Sequence, residues 1–324
     1  MQTEQINWTG QAIGNFVIDE MICDGPFSWI YKASHRSRKD EHLALKISKP
    51  DDALEGWVAE TIFPTQALAA RIGGVSRIRP DAAQLLLFQS EKLKTPSDKL
   101  VEVKDVICEE DRCIVQMEWL EGSTLRKVMN ARSLSVSLVL ELVQSLDSLN
   151  SADHSFHHGG IKPDNIMVTD GGIKLLDPGH FGPLDTQEGV IDNCMVTTPS
   201  YYPLLMPDDL YAVGIICWEA ACQAHPMDGL INSQLMDLSK TGEELCAFVR
   251  SRELAGEYFF TPILQAVRPS VVRPGMPAEL EEFLLAALRL KVSGRTIDLA
   301  PGFASFTEMI AALHALQEAG IHEF

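Results

Sequence analysis

The hydrophobic period of this 324-residue chain changes once, near residue 120, and that change limits the folds open to it. Up to that point the apolar residues come in short runs separated by turn residues, the mark of strands. Phe16-Val17-Ile18 runs into a turn at Asp24-Gly25-Pro26, and Trp29-Ile30-Tyr31-Lys32-Ala33 follows as a second strand. Leu43-Ala44-Leu45-Lys46-Ile47 reads as a third. Residues 101–107 and 112–119 read as two more, joined by the acidic turn Glu109-Glu110-Asp111. One helix is expected in this part, over roughly Ala53 to Ile72, with Pro64 as its break or kink.

Beyond residue 120 the period becomes helical. Leu134, Leu138, Leu142, Leu146 and Leu149 fall on one helix face. Residues 209–224 are apolar nearly all round, as in a helix buried on every side. Two amphipathic helices are expected near 278–291 and 304–318. The fold class is therefore α+β: a strand-rich N-terminal lobe with one main helix over residues 1–118, and a mostly helical C-terminal lobe over 119–324. The boundary lies near Glu118–Gly122.

Charge and cysteine usage narrow the function classes. The net charge of −18 opposes non-specific binding to nucleic acid or to an anionic membrane, both of which are negatively charged. No run of about 20 uninterrupted apolar residues occurs, so no membrane span is expected. The first residues lack the basic-then-apolar order of a signal peptide. The seven cysteines have no CxxC pair, and Cys108 and Cys113 lack the further ligands of a metal site. These features read as reduced thiols in a cytoplasmic protein.

Five segments, in order, carry chemistry. They are Ile22-Cys23-Asp24-Gly25-Pro26-Phe27-Ser28 before a strand, and Leu43-Ala44-Leu45-Lys46 within one. Then come Val115-Gln116-Met117-Glu118-Trp119-Leu120-Glu121-Gly122, and His157-His158-Gly159-Gly160-Ile161-Lys162-Pro163-Asp164-Asn165-Ile166-Met167-Val168. The last is Ile173-Lys174-Leu175-Leu176-Asp177-Pro178-Gly179. Lys-Pro-x-Asn before an apolar strand is fairly specific. The others gain their weight from order and spacing.

Together these resemble the protein kinase family, of the bacterial Ser/Thr type. The resemblance implies a two-lobed kinase-like fold that uses ATP and Mg²⁺. It assigns Gly25 to the glycine-rich loop, with Cys23 and Ser28 where the outer glycines belong. Lys46 becomes the phosphate-binding lysine, held by a helix glutamate for which Glu60 is the first candidate and Glu55 the second. Met117 becomes the gatekeeper. Glu118 and Leu120 meet the adenine edge, and Ala44 and Met167 enclose the ring. Asn165 and Asp177 become the metal ligands.

The chain departs from the family at the catalytic loop. His-Arg-Asp becomes His158-Gly159-Gly160, so glycine stands where the catalytic aspartate belongs, and only Lys162 and Asp164 remain as polar loop residues. Kinases of the bacterial type often carry glycine at the arginine position, so Gly160 is the telling change. Pro178 replaces the Phe of Asp-Phe-Gly. Leu204 replaces the glutamate of Ala-Pro-Glu, whose partner would be Arg295. Gly159 stands where the family's arginine would receive an activation-loop phosphate, so the resemblance does not imply that Thr197, Thr198 and Ser200 are regulatory phosphosites. The resemblance thus implies a pseudokinase that keeps Mg-ATP binding and acts on a protein partner as a regulatory or scaffolding module, with the oligomeric state left open. The alternative is an active atypical ATP-dependent transferase, by residual Ser/Thr kinase activity or by AMP transfer. The basic stretch Lys32, His35, Arg36, Arg38 and Lys39 would serve the latter. Residues 73–100 read as an extra helix that either only packs against the fold or serves as a docking element.

Overall fold

The computed structural model describes residues 7–25, 27–50, 62–64, 81–109, 112–186, 189–196, 201–202, 208–226, 268–293 and 296–324. Six strands make one antiparallel sheet: β1 (Ala12–Ile13), β2 (Phe16–Asp24), β3 (Ser28–His35), β4 (His42–Ser48), β6 (Val103–Glu109) and β7 (Arg112–Glu118). Their order is β1-β2-β3-β4-β7-β6. Strand β3 is centred in this sheet because Trp29, Tyr31 and Ala33 alternate inward, with Ile18, Leu45 and Ile47 packed around them. The short loops between β2, β3 and β4 fix an uninterrupted register from Ser28↔Ser48 to Ser34↔His42.

Among the described residues one helix backs the sheet, α1 (Ala82–Leu93). Asp81 caps it by accepting from the Gln84 N–H at 3.0 Å. Its Leu85, Leu86 and Leu93 are buried. Among the described residues, 82–93 are the helix of the sheet-rich part, inside the stretch 73–100 where a further helix was expected. The described residues of this part depart from the sequence expectation at one place. The helix expected over 53–72 falls outside the described residues except at Ile62–Pro64, which form strand β5. Pro64 gives the physical reason. A proline is costly inside a helix and tolerated on an edge strand, which β5 is.

After the short strand β8 (Ser123–Thr124), the chain becomes helical with α2 (Leu125–Ala131) and α3 (Val136–Ala152). Strands β9 (Ile166–Thr169) and β10 (Gly172–Leu175) pair into a hairpin that carries the loop residues of interest at either end. A second hairpin, β11 (His180–Thr186) and β12 (Gly189–Val196), follows at once, and β5 adds to its free side.

Helix α4 (Asp209–Cys222) is the centre of the helical part. All but two of its 14 residues are buried, as its continuous apolar run requires. Full burial of each large apolar side chain contributes roughly 1.5–3 kcal/mol, so this helix anchors whatever is attached to its ends. Gly214 allows α6 (Ala278–Ala287) to cross closely: a Cβ there would lie 2.8 Å from the Ala287 carbonyl oxygen. Between α4 and α6 lies the four-residue α5 (Pro269–Val272). The hairpin β13 (Leu290–Ser293) and β14 (Thr296–Leu299) and the helix α7 (Phe306–Glu318) complete the described chain. The chain is α+β, a curled antiparallel sheet that among the described residues carries one helix, joined to a helical half.

Candidate nucleotide cleft

Between the sheet and the helices lies a cavity of about 540 Å³. Its roof is Ile22, Gly25, Ile30 and Ala44, and its floor is Met167 and Leu176. Met117, Glu118, Trp119 and Leu120 line the back edge, where β7 leads out of the sheet. Ala44 and Met167 thus face one slot from opposite sides. Met117 is buried behind it, and Leu120 stands at its rim. The Glu118 side chain points elsewhere. It accepts from Lys174 Nζ at 2.8 Å and from the Glu102 N–H at 2.9 Å.

The charged end of the cleft is built on Lys46. Strand β4 delivers this residue into the interior, where it is 6% exposed. It donates to Asp177 Oδ1 and to Gln89 Oε1, both at 2.8 Å. The Gln89 amide N–H donates in turn to the Pro178 carbonyl at 2.8 Å. One neutral side chain on α1 therefore ties β4 to the Asp177-Pro178-Gly179 turn. Glu60 and Glu55, expected as the partner of Lys46, lie outside the described residues. Among the described residues, the helix side chain that meets Lys46 is Gln89.

Burial raises the Asp177 carboxyl, but the Lys46 cation and its hydrogen bond outweigh that, with help from Lys162. The net effect holds it below the usual carboxylate range. Asp177 therefore stays an anion. Its second oxygen and the Asn165 side-chain oxygen are the hard donors available to a divalent cation. The Asn165 amide nitrogen is engaged with Gly160 O at 2.9 Å and Asp177 O at 3.1 Å, which leaves its oxygen for the cleft. Magnesium favours one or two such protein oxygens completed by phosphates and water. The donor set fits that ion.

The loop from His158 to Ile161 is fixed from beneath by the start of α4 and by Tyr202. The Asp209 carboxylate at the start of α4 accepts from the N–H groups of His158 (2.7 Å) and Gly159 (2.8 Å) and from the Tyr202 hydroxyl (2.7 Å). Tyr202 also accepts from the Ile161 N–H at 2.7 Å. His158 is fully buried, and burial next to the Lys92 cation lowers it to about 3, so the ring is neutral. Lys92 itself is lowered to about 8 by burial. It donates to the carbonyls of His158 and Gly179 at 3.3 Å each.

Gly160 is where the loop meets the turn beyond β10. A Cβ built on Gly160 would lie 2.3 Å from the Asp177 carbonyl oxygen, 2.9 Å from the Gly179 nitrogen and 3.2 Å from the Pro178 carbonyl carbon. The turn's backbone occupies the space from which any side chain at 160 would begin. Lys162 and Asp164 line the mouth of the cleft. Asp164 lies 3.6 Å from Arg126, which is itself held by Glu219 and Tyr201.

At the roof, the Gly25 N–H donates to the Ser28 carbonyl at 2.9 Å, closing the β2–β3 hairpin on itself. Asp24 beside it pairs with Lys49 at 2.5 Å. The basic stretch along β3 and beyond is engaged locally. Lys32 lies over the Trp119 ring (4.6 Å), His35 accepts from its own turn, and Arg38 pairs with Glu41. His180 stacks on Phe88 of α1 with ring centroids 4.8 Å apart, docking the β11–β12 hairpin against that helix. Thr197, Thr198, Ser200, Leu204 and Arg295 lie outside the described residues. Gln89 and Lys92, which the sequence reading did not single out, are the additions. Their signal was a capped amphipathic stretch placed later than expected.

Known proteins agree with this architecture. Residues 89–295, well over half of the chain, match the protein kinase domain. The probable serine/threonine-protein kinase CPE1738 of Clostridium perfringens is 24% identical over 236 residues, covering 68% of this chain and 30% of that protein. The serine/threonine-protein kinase PknG of Mycobacterium leprae is 25% identical over 198 residues, covering 58% and 22%. The matched part thus spans about a third or less of the length of these relatives. Among solved structures, the kinase domain of Mycobacterium tuberculosis PknI superposes with a TM-score of 0.54 at 16% identity, covering 97% of this chain and all of that one. The chain belongs to the protein kinase domain family.

Proposed function

We propose that this chain is a pseudokinase: a kinase-fold module that holds Mg-ATP in the cleft and regulates or scaffolds a protein partner without transferring phosphate. The observation that carries this reading is the contact at Gly160, 2.3 Å between a built Cβ and the Asp177 carbonyl oxygen. In a kinase the aspartate at this place takes or orients the proton of the substrate hydroxyl. Such help is typically worth about 10²–10⁴-fold in rate. Here the carboxylate is absent and its place is filled by backbone. Asp164 does not replace it, since its carboxylate is drawn toward Arg126.

The nucleotide-holding groups support the other half of the proposal. Lys46 is charged, buried and positioned to meet phosphates. Asp177 and Asn165 would hold the magnesium ion, which neutralises phosphate charge when bound. The slot between Ala44 and Met167, bounded by Met117, Glu118 and Leu120, suits a flat ring.

Two measurements test the reading on the intact chain. Mg-ATP should raise the melting midpoint, because a ligand bound only to the native state stabilises it. No phosphate should be transferred to the chain or to a generic substrate. Phosphate incorporation that Asp177→Ala abolishes would overturn the pseudokinase reading. Transfer of AMP, read by intact mass, would replace it with the atypical transferase.

A further inference from the structure

Away from the cleft, the hairpin of β6 and β7 brings two cysteines face to face. Cys108 and Cys113 are direct register partners on adjacent antiparallel strands. Such partners point to the same face of the sheet, with Cα atoms about 4.5–5.5 Å apart. That separation falls inside the range of about 4.4–6.8 Å that a disulfide spans without backbone movement. The two sulfurs are 2.6 Å apart. Among the described residues no third acidic, histidine or cysteine side chain joins them to make a metal site.

The two thiols differ in access. Cys108 is exposed, whereas Cys113 is fully buried beneath it against the main core. We propose that Cys108 and Cys113 form a peroxide-responsive redox site. Cys108 is the thiol that meets the oxidant, and Cys113 is the resolving thiol. In the first step the Cys108 sulfur attacks hydrogen peroxide, the O–O bond breaks, and Cys108 becomes a sulfenic acid as one water leaves. In the second, the Cys113 sulfur displaces the sulfenic oxygen, which leaves as a second water with the Cys113 proton, and the S–S bond forms. Two thiols are oxidised and one peroxide is reduced. Burial and the neighbouring sulfur push the Cys113 thiol well up, so Cys113 is not the thiol that reacts first with peroxide, and its attack on the sulfenic acid relies on its direct contact with Cys108.

The product would clip β6 to β7 at the end of β7 far from the cleft. The Cys113 N–H donates to Ser48 Oγ at 2.9 Å, which links this point to β4, the strand that bears Lys46. Oxidation therefore acts on the sheet that carries the cleft roof, without touching a group that lines the cleft.

Arg112 lies between the two cysteines, which makes the test direct. The intact chain is treated with hydrogen peroxide, its free thiols are blocked under denaturing conditions, and it is digested with trypsin without reductant. Peptides 105–112 and 113–126 should appear joined, two hydrogen masses below their sum, and should separate on reduction. Cys108→Ser should remove the joined species and leave Cys113 as a blockable thiol. Recovery of Cys108 as sulfinic or sulfonic acid, with Cys113 still blockable in the wild-type chain, would overturn the proposal. So would a Cys108 disulfide to any other cysteine.

Discussion

The roof loop of the cleft holds one glycine and the loop on its floor holds two, and they use them in opposite ways. In the roof, Gly25 sits between Cys23 and Ser28, its N–H bonded to the Ser28 carbonyl and its neighbour Asp24 held by Lys49. That hairpin is closed on itself, and its Asp24 is paired with Lys49 and does not line the cleft. On the floor, Gly159 takes a φ of +71°, a left-handed conformation natural to glycine, and Gly160 lets the Asp177-Pro178-Gly179 backbone come into contact. A glycine in a kinase roof serves approach to a ligand. The floor glycine here serves approach of the protein to itself. The space where a side chain at 160 would begin is thus not empty in this fold, because the Asp177–Gly179 backbone has closed over it.

The sharpest way to break that comparison is to put the aspartate back. Gly160→Asp should not restore phosphate transfer, and overpacking against backbone should cost on the order of 1–3 kcal/mol or more. Denaturant unfolding and a phosphotransfer assay check both parts. A stable variant with kinase activity would show the floor to be merely depleted rather than closed.

The second test uses pH, because the floor also holds two ionisable groups that resist charging. Lys92 in the folded chain is lowered to about 8 from an ordinary 10.5. Between those values the unfolded chain binds the extra proton and the folded chain does not, so stability should rise with pH across that window. The gain is at most about 3 kcal/mol from this shift, and Lys92→Met should remove the rise. His158 is lowered from 6.5 to about 3, so as pH falls through that interval the unfolded chain takes the proton first and stability should drop. Unfolding midpoints from pH 4 to 10 read both slopes.

The roof side is tested next. Lys46→Met should abolish the thermal shift with Mg-ATP and weaken binding by about tenfold or more, since a charged hydrogen bond contributes about 1.5–3 kcal/mol. Gln89→Glu should have a smaller and more informative effect. It restores a carboxylate beside Lys46 but sets it against the Pro178 carbonyl, to which Gln89 now donates. A loss of about 1 kcal/mol in stability is expected, together with equal or tighter binding of Mg-ATP by titration calorimetry. The smallest effect should come from Cys23→Gly, which frees the roof backbone and should tighten nucleotide binding by no more than about threefold, or about 0.6 kcal/mol.

Much of the site was legible because its residues are close in sequence to what they do. Lys46 sits in a strand whose alternation is plain. Asn165 and Asp177 lie at the two ends of one short hairpin, so their spacing alone brings them together. The partner of Lys46 was not legible. Gln89 lies 43 residues later and is neutral, while an earlier stretch offered glutamates at helical spacing and drew the expectation to 53–72. Pro64 was the warning, since it breaks a helix and sits easily on the edge strand found there. Gly160 was legible as a missing carboxylate, but its role as a contact surface was not. Backbone-to-backbone packing between residues 160 and 177–179 leaves no mark on composition or period. The facing of Cys108 and Cys113 was half visible: an acidic turn between two strands announced the hairpin, and the register then decided the rest.

The pairing of β5 with β12 bears on the order in which the molecule assembles. It joins Pro64 to Cys194, some 130 positions along the chain. The β2–β3–β4 ladder closes over loops of a few residues. Loop-closure entropy must be met before so distant a pairing returns anything, so contacts of this kind form late. During synthesis the β5 segment leaves the ribosome long before its partner strands exist. The sheet that flanks the cleft can therefore be whole well before the hairpin after Asp177 finds the strand that completes it, and interruption of folding would leave that hairpin with an open edge.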